Sequence, residues 1–141
     1  MKIVVAVDGS AYTRKALDYL VAHRAQLVDG NELILVNVCA GIPPHASRHI
    51  SKELLNEYYS DESAKVLDPV KAQLTQLGVS NYSIQSRHGN AAAEIVAAAN
   101  EVDAGLIVVG TRGHGALGRA LMGSVATNVI ADAERSVLLV Q

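Results

Sequence analysis

The stretch Lys2-Ile3-Val4-Val5-Ala6-Val7-Asp8-Gly9-Ser10 reads as one unit: a run rich in β-branched residues, a tight turn, and a residue suited to cap a helix. A run that stays apolar on consecutive positions meets protein on both faces, as a strand does in a parallel sheet covered by helices. Beyond it Ala16, Leu17, Leu20, Val21, Leu27 and Val28 recur at helical intervals, and Ser10 stands where an N-cap belongs. The stretch is therefore a strand handing over to a helix. The same handover recurs along the chain, with further strands expected at Glu32 to Val38, Tyr82 to Arg87, Gly105 to Val109 and Val137 to Val140. This alternation predicts an α/β fold on an open parallel sheet.

Leu54, Leu55, Tyr58, Val66, Val70, Leu74 and Leu77 keep a helical period after the second strand, but Pro69 interrupts it. Asp68-Pro69 reads as an N-cap followed by proline at the first helical position, which restarts or kinks the helix there. Asn90 caps a third helix over Ala91 to Asn100, and Val125 to Ala133 supplies a fourth. Two irregular segments remain, Ala40 to His49 with its Pro43-Pro44 pair and Gly110 to Gly123. Each follows a strand. In an open parallel sheet such loops gather at the carboxyl edge, so both are expected to border one cleft.

The 141 residues suffice for one domain and not for two, which places 1–141 in a single unit. Half the residues are hydrophobic and the formal net charge is −2, a balance that excludes a disordered chain and a nucleic-acid-coating protein. Cys39 is the single cysteine and has no internal partner, and the opening apolar run is too short for a signal peptide. No apolar stretch approaches the roughly 20 residues needed to cross a bilayer. A cytoplasmic protein without membrane insertion is expected.

Gly110, Gly113, Gly115, Gly118 and Gly123 fall within fourteen residues. Glycine packs nothing, so such density provides backbone access: peptide N–H groups approach a ligand closely, and the run ends at Gly123-Ser124, where a helix begins. The N-terminal dipole of that helix favours an anion, and phosphate is the expected guest. Arg112 and Arg119 add positive charge, as a protonated His114 would, although all three suit a solvated surface equally well. Gly113 to Gly118 matches the dinucleotide fingerprint GxGxxG, yet the context fails. The acidic residue due about 20 positions later is absent, because that count lands near Leu138. There is no GxxxxGK[ST] loop either.

Gly110-x-x-Gly113, nine residues, then Gly123-Ser124 resembles the nucleotide-binding pattern of the ATP-binding universal stress proteins. Val7 to Ser10, Gly89 to Ile95, Leu106 to Arg112 and Ser136 to Val140 are similar to other landmarks of that family, so the likeness spans the chain. The resemblance implies five parallel strands in the order 3-2-1-4-5 with helices on both faces, a Rossmann-like, adenine nucleotide alpha hydrolase-like fold. It places Val7, Asp8, Gly9 and Ser10 in the nucleotide site with Asp8 beside the nucleoside, Val38 at the adenine through its backbone, and Gly110 by the ribose. Arg112, Gly113, Gly123, Ser124 and Val125 would surround the phosphates. Ala126 departs from the pattern, standing where some ATP-binding members carry a hydroxyl. ATP is the implied cofactor, with AMP or ADP as alternatives and magnesium as an optional companion.

His45 and His49 have i, i+4 spacing, but no third ligand lies nearby in sequence, so no metal site is assigned. No Ser-His-acid arrangement or carboxylate pair is legible, and no catalytic residue is named. The leading expectation is a nucleotide-dependent stress or signalling module, acting on a protein partner through its loops. The alternatives are a slow ATPase or autophosphorylating enzyme using Ser124 or Thr127, and a nucleotide-free dimeric member of the family. In the implied strand order Val137 to Val140 borders the sheet without proline or charge, so a homodimer through this strand is expected.

Overall fold

Neighbouring residues of the first strand bury into opposite layers. Ile3 and Val5 join Leu17, Leu20, Leu35 and Leu74 in one core, while Val4 joins Ile34, Ile95, Ile107 and Val129 in the other. A strand with protein on both sides favours apolar residues at every position, which is why the run is continuously apolar. The computed structural model describes residues 1–112 and 123–141. Its elements run β1 (Lys2–Ala6), α1 (Ala11–Ala22), α2 (Arg24–Leu27), β2 (Glu32–Cys39), α3 (Pro44–Ser47), α4 (Lys52–Gln76), β3 (Tyr82–His88), α5 (Ala91–Glu101), β4 (Leu106–Gly110), α6 (Ser124–Asp132) and β5 (Val137–Val140).

The five strands form one parallel sheet in the order β3-β2-β1-β4-β5, as implied. Val4 at its centre pairs with Ile34 on one side and Ile107 on the other. α1 and α4 cover one face, and α5 and α6 the other.

The Ser10 and Asn90 caps stand where the sequence places them, and Ser51 caps a third helix start. Ser10 accepts from Thr13 N at 3.4 Å, Ser51 from Leu54 N at 3.2 Å, and Asn90 from Ala93 N at 3.0 Å. The region after β1 differs: α1 ends at Ala22 with His23 as its cap, and α2 is a separate turn. The Ala40 to His49 segment contains a single helical turn, α3, with Pro44 at its start.

The restart at Asp68-Pro69 does not occur. α4 runs unbroken from Lys52 to Gln76 with Pro69 inside it, and its cap is Ser51. A proline in a helix interior costs about 3 kcal/mol through its missing N–H and its clash with the preceding turn. Leu67, Val70 and Leu74 are nearly fully buried on one stripe of α4, and such side chains contribute roughly 1.5–3 kcal/mol each. Packing on both sides of Pro69 therefore outweighs the local penalty.

Candidate functional site

β1 and β4 are neighbours in the sheet, yet the helices that follow them lie on opposite faces. Divergence of this kind opens a crevice at the carboxyl edge of an open sheet. A cavity lies there, walled by Val7 and Asp8 after β1, Thr13 on α1, Val36 and Val38 on β2, Ala91 and Ile95 on α5, the chain from Val109 to Arg112, and that from Gly123 to Ala126.

The turn after β1 is tied to itself. Asp8 Oδ1 accepts from Thr13 Oγ1 at 2.7 Å and from Ser10 N at 2.9 Å, while Asp8 N donates to Thr13 Oγ1 at 2.9 Å. Gly9 has φ +77°, a left-handed conformation that favours glycine. Beneath the turn, buried Asn37 donates to Val7 O at 2.9 Å and accepts from Ser63 Oγ at 3.3 Å, joining β1, β2 and α4.

The other wall is built differently. Thr111 N donates to Val140 O at 3.0 Å, and Thr111 O accepts from Gly123 N at 2.6 Å, so the chain that leaves β4 returns to the same point. α6 then begins with Gly123 as its N-cap, and glycine supplies no side-chain oxygen. Thr127 N, bonded to Gly123 O at 3.1 Å, is the first amide of this helix in the ladder. The amides of Ser124, Val125 and Ala126 thus have no intrahelical acceptor, and all three residues line the cavity.

Arg112 supplies the positive charge. Its Nη1 donates to the Tyr12 hydroxyl at 3.2 Å, and its buried Nε has no hydrogen-bond partner among the described residues. Gly110 leaves no room for a side chain, because a Cβ there would lie 2.7 Å from Tyr12 Cβ.

Of the residues named from sequence, Val7, Asp8, Val38, Gly110, Arg112, Gly123, Ser124 and Val125 share this cavity. Gly9 and Ser10 form the turn beside it and are not part of the wall. Gly113, together with His114, Gly115, Gly118 and Arg119, lies outside the described residues. Sequence reading missed Ala6, Thr13, Val36, Ala91, Ile95, Val109 and Thr111. Thr13 had a usable signal, a hydroxyl one turn beyond the Asp8-Gly9-Ser10 corner. The apolar members read as core, and most of them are core as well.

Cys39, His45 and His49 lie outside the wall of this cavity. Cys39 ends β2 half-buried, and burial, with the Glu62 carboxylate adding to it, pushes its thiol above the usual range, which disfavours a reactive thiolate. Among the described residues no three His, Cys, Asp or Glu side chains are grouped to hold a metal ion, His45 and His49 included. No helix of the described residues is long and apolar enough to cross a membrane.

Fold and crevice define the class first: a doubly wound α/β protein with a cleft at the carboxyl edge where β1 meets β4. Residues 1–141 match the universal stress protein family, and the chain belongs to it. It is 34% identical over 143 residues to universal stress protein MJ0531 of Methanocaldococcus jannaschii, covering 99% of this chain and 81% of that protein. Universal stress protein YxiE of Bacillus subtilis is 32% identical, with 99% of this chain and 98% of that protein covered. Among solved structures, the universal stress protein from Archaeoglobus fulgidus in complex with dAMP superposes with a TM-score of 0.69 at 25% identity, covering 100% of this chain and 98% of that one.

Proposed function

We propose that residues 1–141 act as one cytoplasmic domain that binds ATP in the crevice between β1, β4 and α6, and signals by occupancy rather than by turnover. The observation that carries this reading is the start of α6, where three residues whose amides have no intrahelical acceptor line a cavity that also holds Arg112. Phosphate oxygens are the acceptors such a helix end takes best. Val7, Val38 and Ile95 offer the apolar wall that a purine ring needs, and Asp8 lines the same cavity, where it would face the nucleoside. The dAMP complex of the Archaeoglobus relative supports an adenine nucleotide as the ligand class. A magnesium companion would be held chiefly by the phosphates, since the described residues offer no cluster of three ligands.

The test is direct. Purified protein is heat-denatured and the released nucleotide identified, and ATP is titrated into nucleotide-free protein by calorimetry. Binding that is lost on blocking the α6 end supports the site; a chain that takes up no adenine nucleotide belongs to the nucleotide-free reading. Occupancy without turnover predicts hydrolysis far below the typical enzymatic range of about 1–1000 per second. A magnesium-dependent rate inside that range, abolished by Asp8→Ala without loss of binding, would make the chain an enzyme.

The same reading includes a homodimer through β5. This strand borders the sheet, Val137 to Leu139 are half-buried, and Ile130 on the adjoining α6 is 45% exposed. An apolar edge of this kind invites a second copy in an antiparallel, two-fold contact. Light scattering is expected to find a dimer at micromolar concentration and a monomer for Leu139→Lys.

A further inference from the structure

We propose that Tyr12, Lys15 and Arg112 form a polyphosphate-selecting cluster at the crevice, in which the Tyr12 ring positions two cations for the phosphates beyond the first. This deepens the nucleotide reading and rests on it. The geometry centres on one ring. Lys15 Nζ lies 5.1 Å from the Tyr12 centroid and Arg112 Cζ lies 5.9 Å from it, both within the range of cation–π attraction. Arg112 Nη1 also donates to the Tyr12 hydroxyl at 3.2 Å.

The charge balance separates this cluster from the structural arginines. Arg24 is paired with Asp29, Arg87 with Glu94 and Glu101, and Arg135 with Asp103. Neither Lys15 nor Arg112 has a carboxylate within ion-pair distance among the described residues. A ring attracts cations without cancelling their charge, so positive charge is held in place next to a site that Arg112 itself lines. Arg112 Nε, buried and without a partner among the described residues, is a donor still to be used.

One phosphate can be accommodated by the free amides of α6 alone, as AMP requires. Each phosphate added beyond it brings negative charge that those neutral donors do not offset. Lys15 and Arg112 supply the offset, so their effect falls on ATP more than on AMP. Tyr12 acts through Arg112 and is a positioning residue. Its place is fixed from behind by Gly110, whose missing Cβ lets the Tyr12 backbone and Cβ approach β4.

The experiment is calorimetric titration of the full chain with adenosine, AMP, ADP and ATP in magnesium-free buffer at low salt. Wild type is expected to prefer ATP over AMP by about tenfold or more, the size of one charge-assisted hydrogen bond. Lys15→Gln and Arg112→Gln are each expected to lower that ratio several-fold, and Tyr12→Phe, which keeps the ring but loses the hydroxyl, by about threefold. Raising the salt should shrink the wild-type ratio toward that of the variants, because screening weakens exposed charge pairs. Lys15 is exposed, so its variant is informative even where Arg112→Gln unfolds. If adenosine and AMP bind while ATP binds no tighter, or if Lys15→Gln and Tyr12→Phe leave the ratio unchanged, the cluster is overturned and nucleotide binding stands. Failure of all four ligands to bind overturns the nucleotide reading itself.

Discussion

The two helix starts that flank the crevice are built on opposite plans. At α1 the side chains of the turn find local partners: Ser10 caps, and Asp8 and Thr13 exchange hydrogen bonds across the turn. At α6 the cap is glycine, which supplies no side-chain cap, and the preceding backbone is pinned instead by Thr111. Caps of the α1 kind also begin α4, away from the crevice, and α5, whose first residue Ala91 lines it. A closed helix end adds stability, and an open one at a cavity leaves donors for a ligand. Among the described residues, the α6 start is the one at the crevice that no side chain of its own cap closes.

The contrast is most severely tested at Gly110, which stands where β4 passes under α1. Gly110→Val places side-chain atoms into space where a Cβ alone would be 2.7 Å from Tyr12 Cβ and 3.3 Å from Arg112 O. Overpacking of this kind costs about 1–3 kcal/mol, and denaturant unfolding should show it as a shift in midpoint with nucleotide binding impaired as well. An unchanged midpoint would mean that α1 is free to move off the sheet.

Thr13→Val probes the closed end. It removes the hydroxyl that serves both the amide and the carboxylate of Asp8, and the expected loss is about 1–3 kcal/mol, read in the same unfolding experiment. A loss of nucleotide affinity with full stability retained would show instead that Thr13 belongs to the ligand.

Gly123→Asp converts the open end into a closed one. The φ of −73° suits any residue, so the new carboxylate can cap α6 and should raise stability by a few tenths of a kcal/mol. It competes for the same amides and repels phosphate, so ATP affinity should fall about tenfold or more. Stability and affinity moving in the same direction would remove the distinction between the two ends.

The smallest effect is expected away from both. Arg87 bonds Glu101 on α5 and holds its carboxyl below the usual range. A depressed carboxylate stabilises the fold above its unfolded pKa, and this contribution is lost as pH falls through the lower folded value. Because Glu101 is exposed, Glu101→Gln should barely alter neutral stability and should only soften the acid limb of the unfolding profile. A larger neutral loss would give this surface pair a weight comparable to the α1 turn.

Much of the sheet is legible in the chain itself. Apolar runs give β1, β2, β4 and β5 to within a residue or two, and Ser10 and Asn90 mark two helix starts because capping is a local interaction. The open end of α6 is legible too, since Gly123-Ser124 follows a glycine-rich run. The strand order came from likeness to a known pattern, because periodicity reports burial and not which strand lies beside which.

Contacts between distant segments are what the tertiary structure alone decided. Pro69 stays inside α4 because Leu67, Val70 and Leu74 pack on the sheet around it, an energy that no local rule contains. Asn37 is a polar residue in an apolar strand, accounted for only once Val7 and Ser63 are brought to it. Tyr12 and Arg112 are 100 positions apart and meet because β4 lies beside β1 with α1 above both. Sequence determines which groups are satisfied by neighbours along the chain; the fold determines which of the rest find partners across it, and which remain for a ligand.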